Sequence, residues 1–517
     1  MKPIVWVKLL LTFACLGWLV ACTVNPVTGE RELSLVSTSQ AIAMGQQNYP
    51  PGQQSQGGPY YLDSSLQGYV QRVGNQLARV SDVPNLPYEF VVLNNPVPNA
   101  WALPGGKIAI NRGLMVELED EAQLAAVLGH EIVHAAANHG ASQMSRNMLL
   151  QAGMMATGVA LSDHEYGNLL MLGTQLGSAA WMASYGRDDE LESDHYGMLY
   201  MSRAGYDTLA AVELQETFVR LSEGRASDFI SGLFASHPPS QARVDQNRQT
   251  ATRLPQGGER NRDAYQAAIS QILRDQPAYE AQQRAIEALN NNQPREAMIQ
   301  LDQAVAIQPD EGQFWELRGH AWVELEEYGN AETAYGTAIG KNPGYYQHWL
   351  ARGLLRQERN LPGAEADLEK AQGLLATSTG AFALAQLAEQ RNDMDTALGY
   401  YRSVAQGSGE LAQRAAVRVA RHDLPSQPNQ YIASGLTSDT QGNLVIQVRN
   451  DSPFTLTGIR LQLTGIPLQQ SETSMGMARE FDLGRTLEPG ELANLPTGLQ
   501  SARGSYVVSV SSARILE

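Results

Sequence analysis

One short segment restricts this 517-residue chain more than any other. Residues 121–139 read EAQLAAVLGHEIVHAAANH. Ala, Leu and Val recur there at helical spacing, with acidic residues just upstream, so the segment is expected to be a helix. Residues four apart on a helix share a face, about 6 Å along the axis. His130 and His134 then offer two imidazoles to one ion. Glu131, beside that face, is placed to take a proton from a water on the metal. The chain holds nine histidines. At that frequency a chance His-Glu-x-x-His is an event of about one per cent. The bland alternative is a buried helix whose two histidines are only hydrogen-bonded.

A catalytic zinc needs a third protein ligand and an open position. Residues 185–197 read YGRDDELESDHYG, and a helix there sets Glu190 and Asp194 four apart. One can ligate the metal while the other holds a ligand histidine from behind. Acidic helix faces are usually just solvated, so this segment gains meaning only beside the first. Residues 236–243, SHPPSQAR, add His237 ahead of two prolines.

Three further segments complete a likeness. They are Asn25-Pro26-Val27-Thr28-Gly29 with Arg31-Glu32-Leu33-Ser34-Leu35, Asn99-Ala100-Trp101-Ala102-Leu103-Pro104-Gly105-Gly106, and Arg112-Gly113-Leu114. Over residues 25–250 the combination resembles the gluzincins of metallopeptidase family forty-eight. That family includes the HtpX heat-shock peptidases, the CAAX prenyl endopeptidases and the BepA-like periplasmic proteases. The resemblance implies a zincin-type α+β domain, mainly helical, over residues 22–254. It implies one Zn²⁺ per chain on His130, His134 and Glu190, with Glu131 as general base and Asp194 supporting a ligand. It makes Asn99, Ala100, Trp101, Gly105 and Gly106 an edge that binds extended substrate by strand addition. Pro104-Gly105-Gly106 also reads as a plain hairpin turn. His237 is expected near the metal, as a lid ligand or as a transition-state partner, or else as an ordinary loop histidine. The chain departs from the family at Gly186, where serine is usual, at Ser193, where alanine is usual, and at His195, often arginine. His139, His164, His320, His348 and His422 have no partner pattern and are expected to be structural or exposed.

The flanks are read by composition. Lys2 and Lys8 precede an apolar run, Leu9–Val20, too short to span a bilayer and suited to a signal peptide over residues 1–21. Leu19-Val20-Ala21-Cys22 resembles a lipobox. It implies cleavage before Cys22 and lipidation of its thiol, and Thr23 favours the outer membrane of a Gram-negative bacterium. Cys15 is the only other cysteine, so no disulfide framework is expected. Residues 48–59, rich in Pro, Gly and Gln, read as a surface loop. Met148 to Leu161 reads as a buried helix. Leu254–Gly258 and Leu424–Pro428 read as linkers.

Between those linkers the chain repeats itself. Pro309 and Pro343 are 34 residues apart, and Ala297, Leu301 and Ala304 match Ala331, Tyr335 and Ala338 at that offset. Ala364, Leu368, Ala371 and Ala397, Tyr401, Val404 continue the spacing. This resembles about four tetratricopeptide repeats over residues 262–423. A helical solenoid of that kind offers a concave face to protein partners. Alternation at Leu444, Ile446, Val448, at Ile459, Leu461, Leu463 and at Tyr506, Val508, Val510 predicts a small β-sandwich over residues 428–517.

A net charge of −17 argues against nucleic acid as partner. Two function classes remain. One is a periplasmic, lipid-anchored zinc endopeptidase that cleaves polypeptides, with repeats selecting envelope proteins. The other is a chaperone-like assembly factor for outer-membrane proteins with latent protease activity.

Overall fold

A computed structural model describes residues 22–156, 185–224, 236–467, 477–500 and 504–516. Residues 1–21, expected to be a signal peptide, His164 and the end of the apolar stretch, residues 157–161, lie outside the described residues. The chain packs as two compact units. One runs to Leu355 and includes Gly373–Leu375. The other comprises Arg356–Gln372 and Ala376–Glu517.

The first unit opens with a hairpin, β1 (Cys22–Val24) and β2 (Arg31–Leu33). Helices α1 (Thr38–Ser55) and α2 (Ser64–Ala78) follow. A three-stranded sheet comes next, in the order β3 (Glu89–Leu93), β5 (Lys107–Asn111), β4 (Ala100–Leu103), so β4 lies at an edge. β3 runs parallel to β5 and β4 antiparallel to it. Gly105 and Gly106, with φ of 79° and 81°, make the β4–β5 turn. They therefore belong to a turn rather than to the edge strand, because only glycine takes that backbone freely.

Residues 48–55 are helix, which corrects their reading as a loop. Pro50 and Pro51 each remove a helical N–H. Tertiary anchoring outweighs that loss. Tyr49 packs edge-on to Trp101, ring centres 5.9 Å apart, and its hydroxyl donates to the Ile108 carbonyl at 2.7 Å.

The remaining helices are α3 (Arg112–Met115), α4 (Glu121–Ala136), α5 (His139–Ala156), α6 (Arg187–Arg203), α7 (Leu209–Gly224) and α8 (Gln241–Arg253). α4 is buried along its whole length and forms the spine of the core. Asp120 caps its N-terminus by accepting from the Gln123 N–H at 2.9 Å. Beyond α8 the chain stays attached. Arg260 donates to Asp120 at 2.8 Å, and the hydroxyl of buried Tyr265 donates to the Met115 carbonyl at 2.6 Å. Helix α9 (Arg262–Ala268) thus belongs to the same core.

Paired helices follow: α10 (Ser270–Asn290) with α11 (Pro294–Ile307), and α12 (Gly312–Glu324) with α13 (Tyr328–Lys341). The 34-residue period is visible in the contacts. Trp315 Nε1 donates to the Pro309 carbonyl at 3.0 Å, and Trp349 Nε1 to the Pro343 carbonyl at 2.9 Å. Ala297, Ala304, Ala331 and Ala338 are buried between the helices, where a small side chain lets backbones approach. Helix α14 (Tyr346–Glu358) begins in the first unit and ends in the second.

The second unit continues the repeats with α15 (Ala364–Leu374), α16 (Ser378–Gln390), α17 (Met394–Ala405) and α18 (Glu410–Asp423). It ends in two three-stranded antiparallel sheets. One has the order β10 (Leu492–Gln500), β7 (Asn443–Asn450), β6 (Ile432–Ser438). The other has the order β11 (Gly504–Ile515), β8 (Leu456–Pro467), β9 (Met477–Asp482). Ile446 and Val448 of the first sheet share one core with Leu461 and Val510 of the second. The chain is a multidomain α+β protein, as its sequence predicts.

Candidate metal centre

Two glycines bring the acidic helix against the histidine helix. A Cβ on Gly129 would lie 3.1 Å from the Gly197 carbonyl oxygen, and one on Gly197 would lie 3.0 Å from the His130 nitrogen. α4 and α6 therefore cross backbone to backbone at the residue next to His130. That contact sets Glu190 and Asp194 of α6 opposite His130 and His134 of α4. Among the described residues one group has metal-ligating atoms that converge: His130, His134, Glu190 and His237, all buried, each offering an atom within 4.8 Å of the others.

Hydrogen bonding assigns the protons. His130 Nδ1 is 3.0 Å from Asp194 Oδ1. A carboxylate only accepts, so Nδ1 carries the hydrogen and Nε2 is left with a lone pair. His134 Nδ1 is 2.9 Å from His139 Nδ1, and His139 Nε2 is 3.3 Å from Glu192 Oε1. By the same rule His139 holds its hydrogen on Nε2; a neutral His139 then accepts from His134 Nδ1, and His134 Nε2, which faces Glu190, is the nitrogen that a metal would take. The two Nε2 atoms are 3.0 Å apart. Glu190 lies across them, with Oε1 3.3 Å from His134 Nε2 and Oε2 3.6 Å from His130 Nε2. Two lone pairs and a carboxylate facing one another at these distances repel, and a cation between them removes the conflict. The donor set of imidazole nitrogen and carboxylate oxygen suits zinc.

Charge around the group is steered by Arg243 of α8. Its Nε and Nη2 grip Asp194 at 2.7 and 2.8 Å, and its Nη1 lies 2.8 Å from Glu190 Oε2. Burial opposes ionisation of Asp194, but Arg243 outweighs it and holds the carboxyl below its ordinary range. Burial likewise opposes Glu190, but His237 and His130 hold it well below that range. Glu131 goes the other way. Burial raises its pKa, and the nearby imidazoles of His237 and His130 only partly offset this. Its Oε2 has no hydrogen-bond partner. A carboxyl that prefers its proton, beside an ionised one, is suited to accept and return a proton.

His237 enters from the Ser236–Ser240 turn. Its Nδ1 is 2.9 Å from Glu190 Oε1, and its Nε2 is 3.5 Å from Glu131 Oε1. Tyr185 stacks on the His134 ring, centroids 3.8 Å apart at 22°, and its hydroxyl donates to the Ala102 carbonyl at 3.3 Å on the edge strand. Asn99, Ala100 and Trp101 are buried beside this region. His195 does not join the cluster and meets Thr250 Oγ1 at 3.2 Å. Arg243, Tyr185 and His139 were not assigned to the site by sequence. The available signals were an arginine in the SHPPSQAR run and a histidine five residues after His134.

Beside the cluster a small pocket, partly open to solvent, reaches between α4, α6, α7 and α8. Met198, Met201, Leu214 and Phe218 give it apolar walls, and Glu131 and His130 face into it.

Residues 64–251 match the profile of Peptidase family M48. The chain is 32% identical over 225 residues to "Mitochondrial metalloendopeptidase OMA1" of Schizosaccharomyces pombe, covering 42% of this chain and 63% of that one. It is 26% identical over 234 residues to "Beta-barrel assembly-enhancing protease" of Escherichia coli K12, covering 44% and 47%. It is 27% identical over 246 residues to "Metalloprotease YcaL" of the same strain, covering 44% and 92%. The chain thus spans 63% and 47% of the length of the first two.

Proposed function

We propose that this chain, which carries a domain of peptidase family M48 followed by tetratricopeptide-type repeats, is a zinc endopeptidase of the bacterial envelope. The observation that carries the reading is the facing pair of imidazole nitrogens, His130 Nε2 and His134 Nε2, 3.0 Å apart, with Glu190 across them. His130, His134 and Glu190 would hold one Zn²⁺, and Asp194 would fix the His130 tautomer from behind. Bound there, zinc supplies Lewis acidity to a peptide carbonyl and makes water acidic enough to lose a proton near neutral pH. Glu131 accepts that proton and delivers it to the leaving amine. The pocket walled by Met198, Met201, Leu214 and Phe218 receives one substrate side chain, and the β4 edge aligns the peptide by strand pairing.

The repeats select the protein to be cut, and the name of the E. coli relative supports envelope assembly as the setting. A lipid on Cys22 would tether the enzyme in the periplasm, on the outer membrane; the lipobox-like residues 19–22 support this. No helix among the described residues is long and apolar enough to cross a membrane. His237 favours a second reading, a chaperone-like factor with latent protease activity. It already contacts Glu190 and approaches Glu131, as a lid over the site would.

Glu131→Gln separates the two readings. The variant should keep stoichiometric zinc and lose casein-type cleavage by about 10²-fold or more, as loss of a general base does. Unchanged turnover removes Glu131 from the chemistry. A wild-type protein that holds zinc yet cleaves nothing favours the latent reading.

A further inference from the structure

His130 and His134 are steadied in different ways. His130 meets a carboxylate directly, Asp194 at 3.0 Å. His134 meets a second imidazole, and that imidazole leads away from the site. We propose that His139, Glu192 and Asn25 are positioning residues, a hydrogen-bonded chain that fixes the His134 ring from behind and ties it to the β1–β2 hairpin. The inference rests on the metal reading above.

The geometry begins with Asn138, between α4 and α5, whose φ of 58° is left-handed. Asn tolerates that conformation. The turn folds His139 back under His134 instead of letting α4 continue. His139 is 1% exposed, and its two nitrogens are both used, one toward His134 at 2.9 Å and one toward Glu192 at 3.3 Å. The same Glu192 oxygen accepts from Asn25 Nδ2 at 2.9 Å. Asn25 is itself fixed. Its Oδ1 accepts from the Val27 and Thr28 N–H groups at 2.9 and 3.3 Å, so its amino group must face the carboxylates of Glu192 and Glu32. Glu32 Oε2 then accepts from Ser142 Oγ at 3.1 Å, and Ser145 Oγ accepts from the Leu35 N–H at 2.9 Å. The hairpin is thus clamped to α5, the helix that begins at His139.

Each link has one sense. Asn25 donates to Glu192, His139 donates to Glu192, and His134 donates to His139. With His139 neutral, reversing the His134–His139 link would set two lone pairs or two hydrogens against each other in a buried site. The chain therefore fixes both the ring angle and the tautomer of His134, the functions that outer partners of metal-bound histidines serve. The segment Asn25–Gly29, read in sequence only as a likeness to secreted relatives, acquires a role here. It lies three residues after Cys22 and holds a ligand of the metal centre.

The test uses the full-length protein with four variants: His139→Asn, His139→Leu, Asn25→Ala and His134→Ala. Zinc affinity is read by competition with a chromophoric chelator, ligand geometry by the visible spectrum of the Co²⁺-substituted protein, and folding by the melting temperature with chelator present. His139→Leu should weaken zinc by about 10–100-fold and shift the Co²⁺ bands. Asn25→Ala should weaken it less, by about 3–10-fold, because Glu192 keeps its bond to His139. His139→Asn should recover part of the affinity, since its carbonyl can accept from His134 Nδ1. The proposal is overturned if His139→Leu and Asn25→Ala lower the melting temperature while zinc affinity and the Co²⁺ spectrum stay within twofold of wild type. Should His139→Leu not fold, Asn25→Ala decides alone by the same criterion. If wild type binds no zinc, or His134→Ala binds as tightly as wild type, the metal reading itself fails.

Discussion

Two of the buried clusters of charged side chains in the first unit close in opposite ways. In one, Arg112 is 2% exposed and its Nε donates to Asn94 Oδ1 at 2.8 Å, with the guanidinium 3.2 Å from the centre of the Tyr279 ring. Asn94 Nδ2 and the Tyr279 hydroxyl both donate to Glu311 Oε2, at 2.7 and 3.0 Å. One cation and one anion offset each other through the neutral groups of Asn94 and Tyr279, and only Arg112 Nη2 in this set is left without a hydrogen-bond partner. The metal centre has three carboxyl groups, Glu131, Glu190 and Asp194, against one guanidinium, and two imidazole lone pairs point at each other. A buried polar cluster whose cation and anion offset each other within the chain is architecture. One that leaves lone pairs converging is built for something the chain does not supply.

The largest effect that would test the contrast is at Arg112. Arg112→Leu strands Glu311 as an uncompensated buried charge, a change that typically costs about 3–5 kcal/mol. Chemical denaturation should show that loss, while zinc affinity of the folded fraction stays at the wild-type value. A chain cut near Leu254 loses Tyr279 and Glu311 together and should be destabilised for the same reason. An Arg112 variant as stable as wild type would mean that this cluster, too, is strained.

The same contrast explains what was legible in the sequence. His130, Glu131 and His134 could be read because a single helical turn brings them together. Glu190 and Asp194 could be read as a pair four apart, but only the crossing at Gly129 and Gly197 sets them on the histidines. Arg112 and Glu311 are far apart in sequence and no local period links them, so nothing predicted that Asn94 and Tyr279 join them. His139 seemed partnerless because its role depends on the left-handed turn at Asn138. Residues 48–55 were misread because Pro50 and Pro51 outweigh their neighbours in local propensity, whereas Tyr49 is held by Trp101 and Ile108, which are distant in sequence. Alternation in the β domain was legible since period two survives wherever one face is buried.

A second self-closing cluster, in the repeats, sharpens the comparison through pH. Burial opposes ionisation of Glu316, but hydrogen bonds from His320 and His348 outweigh it and hold the carboxyl at about 2. His348 Nδ1 lies 2.5 Å from Glu316 Oε2. The folded pKa is below the unfolded value near 4.5, so this group stabilises the fold above pH 4.5 and the contribution disappears as pH falls toward 2. Its size is on the order of 3 kcal/mol. Glu316→Gln should flatten the stability profile between pH 4.5 and 2 relative to wild type. Parallel acid-unfolding curves for the two proteins would show that the pair contributes nothing of its own.

The smallest expected effect is the most discriminating, because it is a near-zero at a fully buried carboxyl. Glu131 is 2% exposed, its Oε2 has no partner, and His237 Nε2 stands 3.5 Å from its Oε1. A carboxamide has the same shape and no desolvation cost of ionisation. Replacing an unsatisfied buried carboxyl, which burial already drives toward its neutral form, by a neutral isostere is commonly neutral or stabilising. With zinc chelated, Glu131→Gln should therefore change unfolding free energy by no more than about 1 kcal/mol, and upward if at all. Arg112→Leu, equally buried, should lose several times that. A melting experiment on both variants with chelator present measures the difference directly. If Glu131→Gln instead loses about 3 kcal/mol, its carboxyl is part of the packing, and the division between a self-balanced cluster and an open one collapses. If it is neutral in stability and inactive in turnover, the same side chain is shown to be retained for chemistry and not for the fold.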